Sequence, residues 1–142
     1  MRYPRRTMPR HLALSSFLVP DYDEAIAWFT EALRFELRGD TLLAPGKRWV
    51  VVAPSAAGGA GGALLLARAS TPEQQALVGR QHGGRVGFFL HTDDFDAELA
   101  NFARHGVRLK ESPRSEAYGR VVVFEDRWGN LWDLIQPAEA GS

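Results

Sequence analysis

At 142 residues and 45% apolar content the chain can bury one core, either a single domain or two small halves that share it. Its 17 basic side chains balance 17 acidic ones, which argues against a nucleic-acid or membrane-surface partner, and the lack of cysteine excludes disulfides, thiol nucleophiles and thiolate metal sites. No apolar run approaches a membrane span and the first residues lack a signal-peptide core, so a soluble, cytoplasmic protein is expected.

Residues 1–11 carry Arg2, Arg5, Arg6 and Arg10 with Pro4 and Pro9, and read as a flexible basic arm. Residues 12–19 are apolar enough for a strand, which Pro20 ends. Asp21 then caps a helix, with Glu24 three residues on as a capping box. Tyr22, Ala25, Ile26, Phe29 and Leu33 recur at helical spacing, which predicts an amphipathic helix to about Leu33. Residues 35–38 form a short strand candidate, 40–46 a loop containing Pro45, and 49–53 a β-rich run stopped by Pro54. The Gly-rich segment 55–62 lacks the Gly-Lys-Ser/Thr ending of a phosphate loop and leads into a strand over 63–67, so it reads as a connector.

Thr71-Pro72-Glu73-Gln74 is a helix start with a cap, a first-turn proline and a Gln at the third position, and Gly79 is its stop. Residues 71–83 thus form a linker with a short helix. A strand over 85–92 follows, then Asp93-Asp94 as caps and a helix with Phe95, Leu99, Phe102 and Ala103 on its apolar face, closed by His105-Gly106. Residues 107–110 predict a strand, 111–117 a loop, and 120–125 and 131–136 a hairpin around Asp126-Arg127-Trp128-Gly129-Asn130.

The second half repeats the first. Asp21, Tyr22, Ile26 and Phe29 align with Asp94, Phe95, Leu99 and Phe102, and residues 48–52 with 120–124. The expected fold is α+β, with two tandem βαβββ modules, 12–70 and 84–137, followed by a tail over 138–142. Each module has one helix for one four-stranded sheet, so one sheet face stays uncovered. The two uncovered faces are expected to meet in a curved, barrel-like mixed sheet around a central cavity.

The stretches VPDYDEAIAWFTEALRFEL, FLHTDDFDAELANFARHGVRL and FEDRWGNLWDLIQP, in this order and spacing, resemble the vicinal oxygen chelate superfamily, the glyoxalase/bleomycin-resistance/dioxygenase fold. Metal-dependent members hold a divalent ion with a His seven residues before each helix-capping Asp and a carboxylate in the last strand of each module. By that resemblance the positions here are Leu14, Gly87, Leu65 and Asp133. Three of these four cannot donate a lone pair, so the expectation is no cofactor, with a divalent metal as the runner-up. A relocated set of His11, His91 and Glu125 has no recognisable ligand spacing.

Strand alternation puts Leu14, Ser16 and Leu18, Gly87, Phe89 and His91, and Leu131, Asp133 and Ile135 toward the cavity. Leu14, Phe89, His91, Leu131 and Asp133 are therefore candidate ligand contacts, with Trp49 and Trp128 as stacking platforms and Trp132 turned toward the helix. Asp133 and His91 are the candidate base and acid of a catalytic reading; the alternative is that Asp133 is ion-paired with Arg48 or Arg120. Three readings stand at this point. The first is a metal-independent small-molecule binder of sequestering or resistance type, as a homodimer. The second is a lyase, isomerase or dioxygenase, and the third a structural or regulatory dimer with a vestigial pocket.

Overall fold

The computed structural model describes residues 8–55 and 61–139. Most of the expected basic arm, the middle of the Gly-rich connector and the last three residues of the tail lie outside the described residues. The first module runs β1 (Leu14–Val19), α1 (Tyr22–Glu31), β2 (Glu36–Ala44), β3 (Lys47–Ala53) and β4 (Ala63–Arg68). After the short α2 (Pro72–Leu77) the second runs β5 (Val86–His91), α3 (Phe95–Arg104), β6 (Arg108–Leu109), β7 (Arg114–Glu116), β8 (Gly119–Glu125) and β9 (Leu131–Pro137). One sheet has the order β1-β4-β3-β2 and the other β5-β9-β8-β6, with β7 also on β8. In each module the first strand pairs in parallel with the last, as the internal repeat requires.

Local chemistry accounts for the helices. Asp21 accepts the Glu24 N–H at 2.8 Å and Asp94 the Ala97 N–H at 3.1 Å, each satisfying a donor the helix itself leaves free. Thr71 does the same for Gln74 in α2 at 3.1 Å. The apolar stripes then bury Phe29 and Phe102, both almost completely.

Two segments expected to be loops contain strand. β2 continues to Ala44 because residues 40–44 find partners along β3, and the reversal narrows to Pro45-Gly46, where Gly46 takes φ +74°. In the segment 111–117, β7 pairs with β8 on the same edge as β6. Ser112 and Pro113 interrupt that edge, and the Glu111 carboxylate takes the Val123 N–H at 3.0 Å in place of a ladder partner.

The larger correction concerns which faces meet. The two sheets do not close into a barrel. A single buried cluster joins the helix-covered sides of both modules, from Phe17, Phe29 and Phe35 to Leu90, Phe124 and Trp132. Phe17 lies 5.3 Å from Phe88 and 6.4 Å from Trp132, while Phe29 and Phe35 each lie 6.1 Å from Trp132 between ring centroids. The physical reason is the placement of the large aromatics. They stand on the helix side, where one ten-residue helix is too small to cover them, so each module completes the other's core there. The opposite faces, expected to enclose a cavity, are partly open: Trp49 and Phe89 on them are exposed, while Val121 and its partner Ile135 are buried.

Polar contacts fasten this arrangement. Glu24 on α1 accepts from Trp128 Nε1 at 3.1 Å and Arg127 Nε at 3.0 Å, and Asn101 Nδ2 on α3 donates to the Ala32 carbonyl at 2.8 Å. Gln81 in the linker accepts the Leu18 N–H at 2.9 Å and donates to the Ser16 carbonyl at 3.0 Å, satisfying backbone groups on the free edge of β1.

Candidate functional site

The β8–β9 turn sets the position of everything on β9. Asp126 Oδ1 accepts the N–H groups of Trp128, Gly129 and Asn130, each at 3.0 Å, and Oδ2 accepts Asn130 Nδ2 and Trp132 Nε1, each at 2.9 Å. Gly129, at φ +111°, allows the reversal. Burial pushes the Asp126 carboxyl up, and the bonds from Trp132 and Asn130 oppose that shift. The turn in this way fixes the alternation of β9, with Trp132 inward and Asp133 outward.

On the outward face Asp133 lies between its strand partners Phe89 on β5 and Val123 on β8. Leu131 and Ile135 flank it on β9, and His91 is the partner of Ile135. His91 and Asp133 thus occupy diagonal positions on one face, without a hydrogen bond between them. Neither arginine proposed as an ion-pair partner reaches Asp133. Arg48 binds Asp40 at 2.6 Å and Asp23 at 2.9 Å, and Arg120 binds Asp96 at 3.1 Å while lying over the Phe95 ring. The reading of Asp133 as a carboxylate paired with Arg48 or Arg120 is therefore corrected: its Oδ1 is inaccessible to water and has no hydrogen-bond partner among the described residues. Burial pushes its carboxyl up, against the attraction of Arg114.

Sequence reasoning missed the polar margin of this face. Arg114 binds Glu116 at 2.6 Å and Glu111 at 3.1 Å, and its Nη1 lies 3.5 Å from the Tyr118 hydroxyl. Glu111 is committed to Arg114 and the Val123 N–H. The period-two spacing of Arg114, Glu116 and Tyr118 was the available signal, masked by Ser112-Pro113, which made the segment look like a loop.

In the first module Trp49 lies on the outward face with Val51, Leu65 and the half-buried Leu14, opposite the buried Val50 and Val52. Trp49 is 43% exposed and Phe89 63% exposed. Trp128 is different. Its ring packs at 5.6 Å from Phe17, 5.6 Å from Trp28 and 6.0 Å from Phe29, and its N–H is spent on Glu24, so it joins the modules instead of offering a platform. That position is a correction of the sequence expectation, caused by the merged helix-side core. A cleft of about 540 Å³ opens between the modules, lined by Phe35, Phe88 and Trp132 and also by the candidate residues Gly87, Phe89 and His91.

The family's metal does not fit the residues present. Leu14, Leu65 and Gly87 have no donor atom, which leaves Asp133 alone. The position of Gly87 is further restricted: a Cβ there would collide with the imidazole of His82, which packs edge-on against Phe88 at 4.9 Å. His11, His91 and Glu125 are not brought together, and among the described residues no three His, Asp or Glu side chains converge in a metal-holding group.

Two βαβββ modules that share a helix-side core and leave their opposite sheet faces open define a paired-module α+β protein. The chain belongs to the Glyoxalase/Bleomycin resistance protein/Dioxygenase superfamily, whose model matches residues 10–134. An uncharacterized protein of Shewanella frigidimarina is 49% identical over 127 residues, covering 89% of this chain and 90% of its own. The crystal structure of TnmS3, an antibiotic binding protein from Streptomyces sp. CB03234, superposes with a TM-score of 0.72 at 30% identity, covering 94% of this chain and 100% of that one. A glyoxalase/bleomycin resistance protein from the same Streptomyces superposes at 0.68 with 31% identity, covering 89% and 100%. No helix among the described residues is long and apolar enough to cross a membrane.

Proposed function

We propose that this protein binds a small aromatic molecule on the open faces of its sheets, as a sequestering module that uses neither the family's metal nor a chemical step. The observation that carries this reading is the open face itself. Phe89 and Trp49 stand exposed on sheet surfaces that neither helix covers, on the same faces as the half-buried Leu14 and Leu131. Large aromatics left uncovered in this way mark interaction surfaces more often than scattered single exposures do. The antibiotic-binding TnmS3 has the same fold at 30% identity, which supports a small-molecule guest. The replacement of the metal-donor positions by Leu14, Leu65 and Gly87 argues against the metal chemistry of the family, and the acid–base alternative lacks a bond between His91 and Asp133. We read the working form as a cytoplasmic homodimer in which a second copy closes the open faces over the guest.

Thermal unfolding with a panel of aromatic antibiotics, daunorubicin and tetracycline among them, tests the reading. A guest at a hundred times its dissociation constant adds about 2.7 kcal/mol, or roughly 5–10 °C for a domain of this size. Trp49→Ala and Phe89→Ala should each remove most of that shift. Absence of any shift across the panel refutes the proposal, as does a shift that both variants leave intact.

A further inference from the structure

We propose that the open face of the first module takes an aromatic anion: a flat ring lies on Trp49 while its carboxylate is held by Lys47 and Arg68. This rests on the small-molecule reading above and adds the charge of the guest.

A hollow of about 500 Å³ lies at the turn end of the β2–β3 hairpin, between that turn, the end of β4 and the start of α2. Lys47, Arg48 and Arg68 line it, and among the described residues no Asp or Glu does. Arg48 binds Asp40 at 2.6 Å and Asp23 at 2.9 Å. Three cations against these two carboxylates leave one positive charge in excess, on a chain whose formal charge is zero. Lys47 and Arg68 are both exposed, so a solute reaches them, and neither makes an ion pair among the described residues. The Arg68 guanidinium stands 3.4 Å from where a Cβ on Gly46 would be. Gly46, at φ +74°, thus forms the reversal and leaves the guanidinium room against the backbone that carries Lys47.

Trp49 supplies the apolar surface of the same hollow. It stands exposed on the outward face with Leu65, and Ala67 on β4, with only a methyl group, lines the hollow without filling it. Exposed lysines and arginines are ordinary on a protein surface. These two are set apart because they share a concavity with an uncovered indole and with no carboxylate among the described lining residues. A flat guest buries apolar area on the indole, and Lys47 and Arg68 give its carboxylate charge-assisted hydrogen bonds. A cationic guest of the same shape would meet the same ring and be repelled by both side chains. Charges this open to water each contribute little, about threefold in affinity for each cation and about tenfold for the two together.

The test titrates three probes built on one ring system into the full-length protein at neutral pH, read by fluorescence: anthracene-2-carboxylate, 2-(hydroxymethyl)anthracene and 2-(aminomethyl)anthracene. The expected order of affinity is carboxylate, alcohol, ammonium, with about tenfold between the first two. Lys47→Gln and Arg68→Gln, both at exposed positions, should each cut that preference about threefold and together abolish it, leaving the alcohol unchanged. Trp49→Ala should weaken all three probes. Equal affinity of carboxylate and alcohol in the wild type overturns the anion selection, as does a preference that survives the double substitution. Carboxylate binding that needs Lys47 and Arg68 but not Trp49 makes the cations a general anion patch and also overturns the proposal. If the three probes bind equally and still need Trp49, or if none binds while the antibiotic panel responds to Trp49→Ala, the anion selection alone fails. If none binds and Trp49→Ala and Phe89→Ala are without effect on the panel, the small-molecule reading itself fails.

Discussion

Replacing Asp126 with alanine should be among the most damaging single changes at the surface end of the β8–β9 hairpin. The carboxylate accepts five N–H groups. Those of Trp128 and Gly129 are partly exposed and can turn to water, but Asn130 and Trp132 are 4% and 3% exposed, which strands three buried donors. At about 1–3 kcal/mol for each buried donor left unmade, and with water entering the vacated space to satisfy some of them, the loss comes to roughly 3–5 kcal/mol. That is a large share of the roughly 5–15 kcal/mol that holds a domain together. Asp126→Asn retains one acceptor oxygen but sets an amide N–H₂ against Trp132 Nε1 or Asn130 Nδ2, so it should still cost roughly 2–4 kcal/mol. Equilibrium urea unfolding with an unchanged m-value gives the measurement. A loss under about 1 kcal/mol for the alanine variant would show that Gly129 and strand pairing hold the turn unaided, and the account of how Asp133 is aimed outward would be wrong.

Other outcomes can be checked with the same assay. Phe29→Ala and Phe102→Ala, truncations at equivalent places in the two modules, should each cost roughly 3–5 kcal/mol, and a silent result at either breaks the repeat alignment there. Gly87→Ala should cost roughly 1–3 kcal/mol because its new Cβ meets the His82 ring, and adding His82→Ala should recover most of the loss; additive effects would mean the two positions do not share space. Burial raises the Glu98 carboxyl above its ordinary value of 4.5, partly offset by Thr92 and Arg34. The unfolded chain therefore ionises first, and stability falls as pH rises from about 4.5 through the folded value. Glu98→Gln should abolish that decline and be the more stable protein at pH 7, and an identical pH profile in the variant would refute it.

The helices were legible because their information is local. Asp21 with Glu24 and Asp94 with Ala97 cap helices through groups three residues apart, and Phe29 and Phe102 mark the buried stripes by spacing alone. The two-residue period of a strand likewise placed Phe89, His91 and Asp133 on one face and Trp132 on the other. The error over Trp128 came from the turn. A turn has no period, and this side chain's direction depends on Glu24, more than a hundred residues earlier. The extension of β2 and the presence of β7 were hidden for a related reason, since Pro45 and Pro113 suggest loops while cross-strand partners decide otherwise.

By itself, then, the amino-acid order determined two copies of a βαβββ unit, the sidedness of their strands, and the loss of donor atoms at Leu14, Leu65 and Gly87, because capping, alternation and side-chain chemistry are properties of residues and their near neighbours. Only the tertiary structure decided that the helix-covered faces join, that Trp128 locks the modules together, and that Asp133 Oδ1 is buried without a hydrogen-bond partner among the described residues. Burial of apolar surface has no direction along the chain, so several pairings of the same faces satisfy one hydrophobic pattern. The choice among them falls to how large side chains such as Phe17 and Trp132 fit against each other in three dimensions.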